Sequence, residues 1–392
     1  MERSGKIFIM AGEASGDLHG ANLVRALRQQ KPHLEFYGVG GPRMREAGVT
    51  TYFNITDLNT AGFVEVFGKL PSLYRIYRDI QKRLREEHFA LAIFIDYPGL
   101  NIRLGKKARK EGVPPVYYIG PQLWAGRTPW RARRIIRAFA RVLVIFPFEV
   151  SLYERKGGRA EFVGHPLLDL VRPSLSREEA MTAFALDEDR PIIGLLPGSR
   201  KSEIELLLPP ILQSAQLIQR QDPRPQFLLA LAGTVERHQV EDLLAQYPIE
   251  VKVVAGRPYD VMNVADFLIV ASGTATLEAG LLEKPMVILY KFHFLTWLAA
   301  RLMQKAPYLG LVNDLAGREI MPELQQYQVK PQRIAKIVLQ ALRDPEAYSA
   351  MQESLRSIRS LLGTEGAAQR AAHSILQLLE AGVRGQGLGI RD

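Results

Sequence analysis

Apolar and polar positions along the chain fall into blocks of two periods. Compact, mostly apolar runs recur at Lys6–Ala11, Phe36–Gly41, Leu91–Ile95, Val116–Ile119 and Val142–Ile145. Runs of that length without alternation predict strands buried on both faces, as in parallel sheets. Between them apolar residues repeat at three- and four-residue spacing, as in Leu18, Ala21, Leu23, Ala26 and Leu27, and predict helices. Phe162–Pro166 closes the first half, and Val171–Ser176, with Pro173, reads as a linker. The alternation then resumes with strands at Ile192–Leu196, Phe227–Ala230, Val251–Val254, Phe267–Val270 and Met286–Tyr290. The expected fold is α/β, with two tandem Rossmann-like doubly wound domains, 1–170 and 177–345, facing across a cleft. Helical patterns at Pro331–Leu342, Met351–Leu362 and Ala367–Leu379 follow. The pattern leaves two placements open for the C-terminal helices, about 345–392: back on the first domain, or swapped onto a partner chain.

Doubly wound sheets bind ligands beyond the C-terminal ends of their strands, so the residues there carry the candidate chemistry. The chain is expected to be organised around Ile269–Gly280, where a strand turns through Ser272-Gly273-Thr274 into a helix. Free N–H groups and a positive dipole end suit a phosphate there. Ser272, Thr274 and Thr276 add hydroxyls, and Glu278 lies within reach of a ribose diol; the alternative is an ordinary N-capped helix. The turn Pro197-Gly198-Ser199-Arg200 precedes another helix, where Arg200 and the helix N-terminus together suit a phosphate. In the first half, Glu13, Ser15, Asp17 and His19 crowd the end of the first strand, with capping by Ser15 or Asp17 as the alternative. The strand Leu91–Ile95 delivers Asp96 to its end, before Tyr97-Pro98-Gly99. Asp96 is placed as a general base, or as the cap of a helix beginning near Asn101. Together these residues suit a nucleotide-sugar donor in the second domain and an acceptor in the first.

Residues 61–85 carry apolar positions at helical spacing, with Phe63, Val66, Phe67, Leu70, Leu73, Tyr74 and Tyr77 among them, flanked by Lys69, Arg75, Arg78, Lys82, Arg83 and Arg85. Pro71 is expected to divide the run into two helices. A basic amphipathic helix lies in a membrane interface or packs on a sheet with its charges solvated, and the pattern alone favours packing. A second basic run, Arg127 to Arg141 beside Trp124 and Trp130, lacks any nucleic-acid-binding signature.

Composition narrows the classes. The 392 residues carry a formal net charge of +10, which suits phosphorylated or otherwise anionic partners. There are no cysteines, and the seven histidines include no helical metal-ligand pair, so neither disulfides nor a metal or other cofactor is expected. No apolar run reaches the ~20 residues that span a bilayer, and the chain enters its first strand without a signal-peptide pattern.

The motifs Met10–Asp17, Phe63–Val66, Asp96-Tyr97-Pro98-Gly99-Leu100-Asn101, Phe162–Pro166, Leu196–Arg200, Ser272–Glu278 and Gly317–Leu324, in that order, resemble the lipid A disaccharide synthase family. The resemblance covers roughly residues 5–330. It implies a glycosyltransferase-B fold and metal-free, inverting transfer of diacylglucosamine from UDP to diacylglucosamine 1-phosphate. It also implies a cytoplasmic protein on the inner-membrane surface, with no nucleic-acid partner; a homodimer stays open. Asp96 and Arg200 match the family's essential acid and arginine, joined by Glu13 and Ser15 as candidates. Gly198, Ser199, Ser272, Gly273, Thr274, Thr276 and Glu278 match the nucleotide site, with Asn313, Glu323 and Gln325 near it. Since both substrates are acylated, the resemblance turns the basic amphipathic stretch into an expected docking surface. Gly126 stands where the family usually has a second tryptophan. The rival readings are a UDP-N-acetylglucosamine 2-epimerase or other UDP-sugar enzyme, and a non-catalytic nucleotide- or RNA-binding protein.

Overall fold

The computed structural model describes residues 5–58, 63–121, 129–291 and 308–383, with only the backbone of 58, 63–71, 129–131, 382 and 383. Trp124, Gly126 and Arg127, and the side chains of Phe63, Val66, Phe67, Leu70, Lys69, Trp130 and Arg131, lie outside the described residues.

The chain divides into two compact units. One is formed by the chain up to Asp169 together with the segment from Leu362, and the other by Leu170–Leu361. The first holds a sheet of β1 (Lys6–Ala11), β2 (Glu35–Gly40), β3 (Val49–Asn54), β4 (Leu91–Ile95), β5 (Pro115–Tyr118), β6 (Arg141–Val144) and β7 (Ala160–Phe162). Its order is β3-β2-β1-β4-β5-β6-β7, with every pair parallel. The second holds β8 (Ile192–Leu196), β9 (Gln226–Leu231), β10 (Lys252–Ala255), β11 (Phe267–Ala271), β12 (Met286–Tyr290) and β13 (Glu323–Gln325). They run β10-β9-β8-β11-β12-β13, again all parallel. The apolar runs are apolar throughout because helices cover both faces: every residue of β4, β8 and β11 is buried.

In each sheet the chain winds outward from one central strand and then returns to its other side. The first sheet therefore reverses between β1 and β4, and the second between β8 and β11. These two reversals open crevices at the strands' C-terminal ends, and they fix where ligands fit.

Three local expectations change. Pro71 does not end its helix: a single helix runs Phe63–Glu86. A proline removes one backbone hydrogen bond, but burial of Ile76, Ile80 and Leu84 on one face holds the helix against the sheet. The C-terminal helices do not move as a block. Helix Pro345–Leu361 packs in the second unit against Thr274–Leu281, with the Tyr348 hydroxyl donating to the Asp266 carbonyl at 2.7 Å. Helix Ala367–Val383 packs on Ala14–Gln30 of the first, tied by Arg370 Nε to the Val163 carbonyl at 2.8 Å. Finally, neither Ser15 nor Asp17 caps its own helix, whose N-cap is Glu13. Among the described residues no helix is long and apolar enough to cross a membrane.

Candidate functional site

At the first reversal, β1 ends in Ala11 and leads to Gly12 and Glu13, while β4 ends in Ile95 and leads to Asp96 and Tyr97. Helix Pro98–Lys110 begins at once, with Tyr97 as its N-cap and Pro98 in the first turn, so Asp96 caps nothing. Asp96 and Tyr97 both adopt the left-handed backbone conformation, at φ 46° and 48°. Two successive non-glycine residues there are strained, and such strain persists only where surroundings enforce it. Asn101, fully buried one turn into the helix, supplies the enforcement: its Nδ2 donates to the Ile95 carbonyl at 3.0 Å and the Asp96 carbonyl at 2.6 Å. The Tyr117 hydroxyl donates to the same Asp96 carbonyl at 3.0 Å. Gly12 permits the arrangement, since a Cβ there would lie 2.3 Å from the Tyr97 ring.

Asp96 and Glu13 line one cavity of about 650 Å³ within the first unit. Its walls include Leu73 and Tyr77 from Phe63–Glu86, and Tyr97, Leu100 and Arg103 from the following helix. Burial first, and the neighbouring Glu13 carboxylate second, push the Asp96 pKa above the ordinary range. Both changes make Asp96 a better proton acceptor once ionised. Ser15 is exposed. Asp17 is structural. Only 3% exposed, it accepts from the Gly41, Met44 and Arg43 amides at 2.7, 3.1 and 3.1 Å, capping helix Pro42–Glu46 instead of its own. Burial lowers the pKa of His19 to about 4, which keeps its imidazole neutral.

At the second reversal, β8 leads into Pro197–Arg200 and β11 into Ser272-Gly273-Thr274, which brings the two expected phosphate turns to adjacent strands. They differ. At helix Lys201–Gln221 the N-terminus is already occupied: Glu203 Oε2 accepts from the Ser199 and Arg200 amides at 2.8 and 3.1 Å. Gly198, at φ 117°, makes room for that carboxylate. The expected phosphate cradle at this turn is thus filled by the protein's own anion. The Arg200 side chain, 76% exposed, touches Glu203 at 3.1 Å and extends into solvent.

Among the described residues no side chain caps helix Thr274–Leu281, and the amides of Thr274 and Ala275 have no intrahelical acceptor. The Ser272 and Thr276 hydroxyls are committed elsewhere, to the carbonyls of Leu309 at 2.7 Å and Gly273 at 2.8 Å, while Thr274 is exposed. Glu278 is part-buried, and Tyr259, unforeseen in the sequence, donates to its Oε1 at 3.0 Å. Asn313, Glu323 and Gln325 form a lock behind the turn. Glu323 accepts from the Leu309 and Gly310 amides at 2.9 and 3.0 Å and from Gln325 Nε2 at 2.8 Å. Asn313 is fully buried, with both ends of its amide used on protein groups.

Leu73 and Tyr77, expected to face a membrane, turn instead toward the cavity and the core beneath. Tyr74 remains 61% exposed. It borders a second groove with Arg75, Arg78, Lys82 and Arg85. The residues that sequence reasoning missed are Asn101 and Tyr117 as clamps, Leu100 and Arg103 as walls, Glu203, and Tyr259. Of these, Leu100 and Arg103 had a readable signal, the three-residue spacing from Tyr97 that puts all three on one helix face.

Over residues 7–377 the chain matches the family described as lipid-A-disaccharide synthetase. A lipid-A-disaccharide synthase of Geobacter sulfurreducens is 43% identical over 376 residues, covering 96% of this chain and 98% of that protein. One of Nitrosococcus oceani is 40% identical over 390 residues, 99% of each. Among solved structures, S. aureus MnaA with UDP aligns at TM-score 0.64 and 15% identity, over 96% of this chain and 97% of that one. The calicheamicin glycosyltransferase CalG4 aligns at TM-score 0.60 and 15% identity, over 97% and 99%. The UDP-GlcNAc 2-epimerase of Neisseria meningitidis aligns at 0.55 and 12%, over 96% and 98%. These low-identity likenesses establish a fold of glycosyltransferase-B type and nothing finer.

Proposed function

For a chain that belongs to the lipid-A-disaccharide synthase family, and is thus a glycosyltransferase forming the lipid A disaccharide, we propose the following substrates and residue roles. The donor is UDP-2,3-diacylglucosamine and the acceptor is 2,3-diacylglucosamine 1-phosphate. The second unit binds the donor's nucleotide and the first binds the acceptor. Asp96 takes the proton from the acceptor's 6-hydroxyl as its oxygen attacks the anomeric carbon. The bond to UDP breaks with inversion, and the β-1,6 disaccharide 1-phosphate leaves with UDP. The observation that carries this reading is the cavity at the first reversal, where a clamped, strained Asp96 sits beside Glu13.

On the donor side, the N-terminus of Thr274–Leu281 receives the diphosphate and Arg200 closes over it, exchanging Glu203 for the leaving phosphate. Glu278, oriented by Tyr259, takes the ribose diol. The supporting measurement is UDP release from the donor, with and without acceptor, in detergent and EDTA. Release that depends on acceptor and survives EDTA supports a metal-independent transferase; release indifferent to acceptor defeats the reading. In this assay Arg200→Ala is expected to lower kcat/KM by about 10²- to 10³-fold, the loss typical of removing one electrostatic stabiliser of a developing charge. An epimerase is not favoured, because the epimerase likeness is one of fold at 12% identity, against 40–43% for synthases across the chain.

The acyl chains bring the enzyme to a lipid surface. We assign the docking to the exposed basic side of helix Phe63–Glu86, where Tyr74 stands among Arg75, Arg78, Lys82 and Arg85. Each cation near an anionic surface contributes about 1 kcal/mol. Arg75→Glu with Arg78→Glu is therefore expected to weaken binding to anionic vesicles by at least about tenfold. Unchanged sedimentation with vesicles would remove this surface from consideration.

A further inference from the structure

We infer that Arg103 binds the anomeric phosphate of the acceptor and so makes the enzyme selective for a phosphorylated sugar. The inference rests on the reading of the Asp96 cavity as the acceptor site. That cavity has a charge polarity. Its strand end carries two carboxylates, Glu13 and Asp96, and among its described lining residues Arg103 is the one cation. A phosphate monoester is repelled from the carboxylate end, whereas the hydroxyl that reacts must reach it. The acceptor therefore has one favourable direction, with its hydroxyl at Asp96 and its phosphate at Arg103.

The spacing agrees. Arg103 lies five residues beyond Pro98 on the same helix, roughly 7.5 Å further along its axis. That is comparable to the span of one hexose substituted at both ends. Tyr97, Leu100 and Arg103 follow one another at three-residue intervals along the cavity wall, so the apolar Leu100 separates the two polar ends. Arg103 is exposed, and it has no hydrogen-bond or ion-pair partner among the described residues. Its neighbour Arg109 is spent on the Arg137 carbonyl at 2.8 Å, and Lys107 on Glu111 at 2.6 Å. The planar guanidinium fork suits the paired oxygens of a phosphate monoester better than a point charge does.

The test compares two acceptors, diacylglucosamine 1-phosphate and the same sugar without its phosphate. Wild-type enzyme is expected to prefer the first, and in Arg103→Ala the ratio of the two kcat/KM values falls by about 10- to 100-fold, the worth of one charge-assisted hydrogen-bonded contact. The loss lies in the KM for the phosphorylated acceptor, with the donor KM unmoved, and Arg103→Lys restores part of the ratio. If wild type shows no measurable turnover of the unphosphorylated sugar, the rise in KM for the phosphorylated one decides. Equal losses with both acceptors, or no loss with either, overturn the inference. Leu100→Trp separates this failure from failure of the cavity reading. It narrows the cavity between its two polar ends and is expected to raise the KM for both acceptors, and if it raises neither, the acceptor binds elsewhere.

Discussion

Asp96→Asn leaves a folded protein whose acceptor-dependent UDP release falls by about 10²- to 10⁴-fold, the range for loss of a positioned general base. The amide is nearly isosteric, the Asp96 carbonyl keeps its contacts with Asn101 and Tyr117, and the amide oxygen can still accept from the Tyr97 backbone N–H as the carboxylate does. Stability therefore changes little while turnover collapses, and a thermal melt beside the rate separates the two. The pH dependence has a defined sign. The reacting form is the carboxylate, so kcat/KM rises with pH as Asp96 loses its proton. Burial and Glu13 raise its pKa, so this limb lies above the usual carboxylate range. Glu13 is the lever. Without its charge one of the two causes of the elevation disappears and the limb moves to lower pH. An unaltered rate in Asp96→Asn would show that another group accepts the proton.

Asn313→Ala has the largest expected effect on stability. Its Nδ2 donates to the Met321 carbonyl at 2.9 Å and to Glu323 Oε2 at 3.2 Å, and its Oδ1 accepts from the Ile320 and Met321 amides, both at 2.9 Å. Truncation strands two amides and a carbonyl in a buried site, each worth about 1–3 kcal/mol. A total loss of at least about 3 kcal/mol follows, which corresponds to a fall of at least roughly 6–12 °C in the unfolding temperature of a unit of this size. Calorimetry with and without UDP distinguishes the roles. A large fall that UDP only partly reverses marks a structural lock. A small fall with lost UDP binding would mark a direct ligand contact.

What could be read from the sequence divides by range. The buried strands were legible because their runs are apolar throughout, and the two turns were legible because small residues follow them. That the turns lie side by side was a matter of strand order, which follows from the doubly wound pattern. The strands Val49–Asn54, Ala160–Phe162 and Glu323–Gln325 were missed: the last two are three residues long and are strands by their partners, whereas Val49–Asn54 carries a β-branched and aromatic signal of its own but only one buried end. Asp17 looked like a local cap because its long-range partners, the amides of Gly41, Arg43 and Met44, are invisible in a linear pattern. Glu203 is the reverse case. Its spacing from Arg200 is local, but a carboxylate filling a phosphate-like turn becomes evident only with coordinates. Pro71 misled because helix propensity is a weak prior against an apolar face that can be buried.

The return of helix Ala367–Val383 onto Ala14–Gln30 sets the order in which a ribosome can finish the protein. The unit spanning Leu170–Leu361 is continuous and can close as it emerges. The other cannot, because the helix that covers its first helix is translated after the whole of the second unit. At about 5–20 residues per second, the roughly 200 residues between Asp169 and that helix take about 10–40 s to appear. Through that interval the part of Ala14–Gln30 on which that helix packs lacks its cover, so the nascent first half is a natural client for a chaperone.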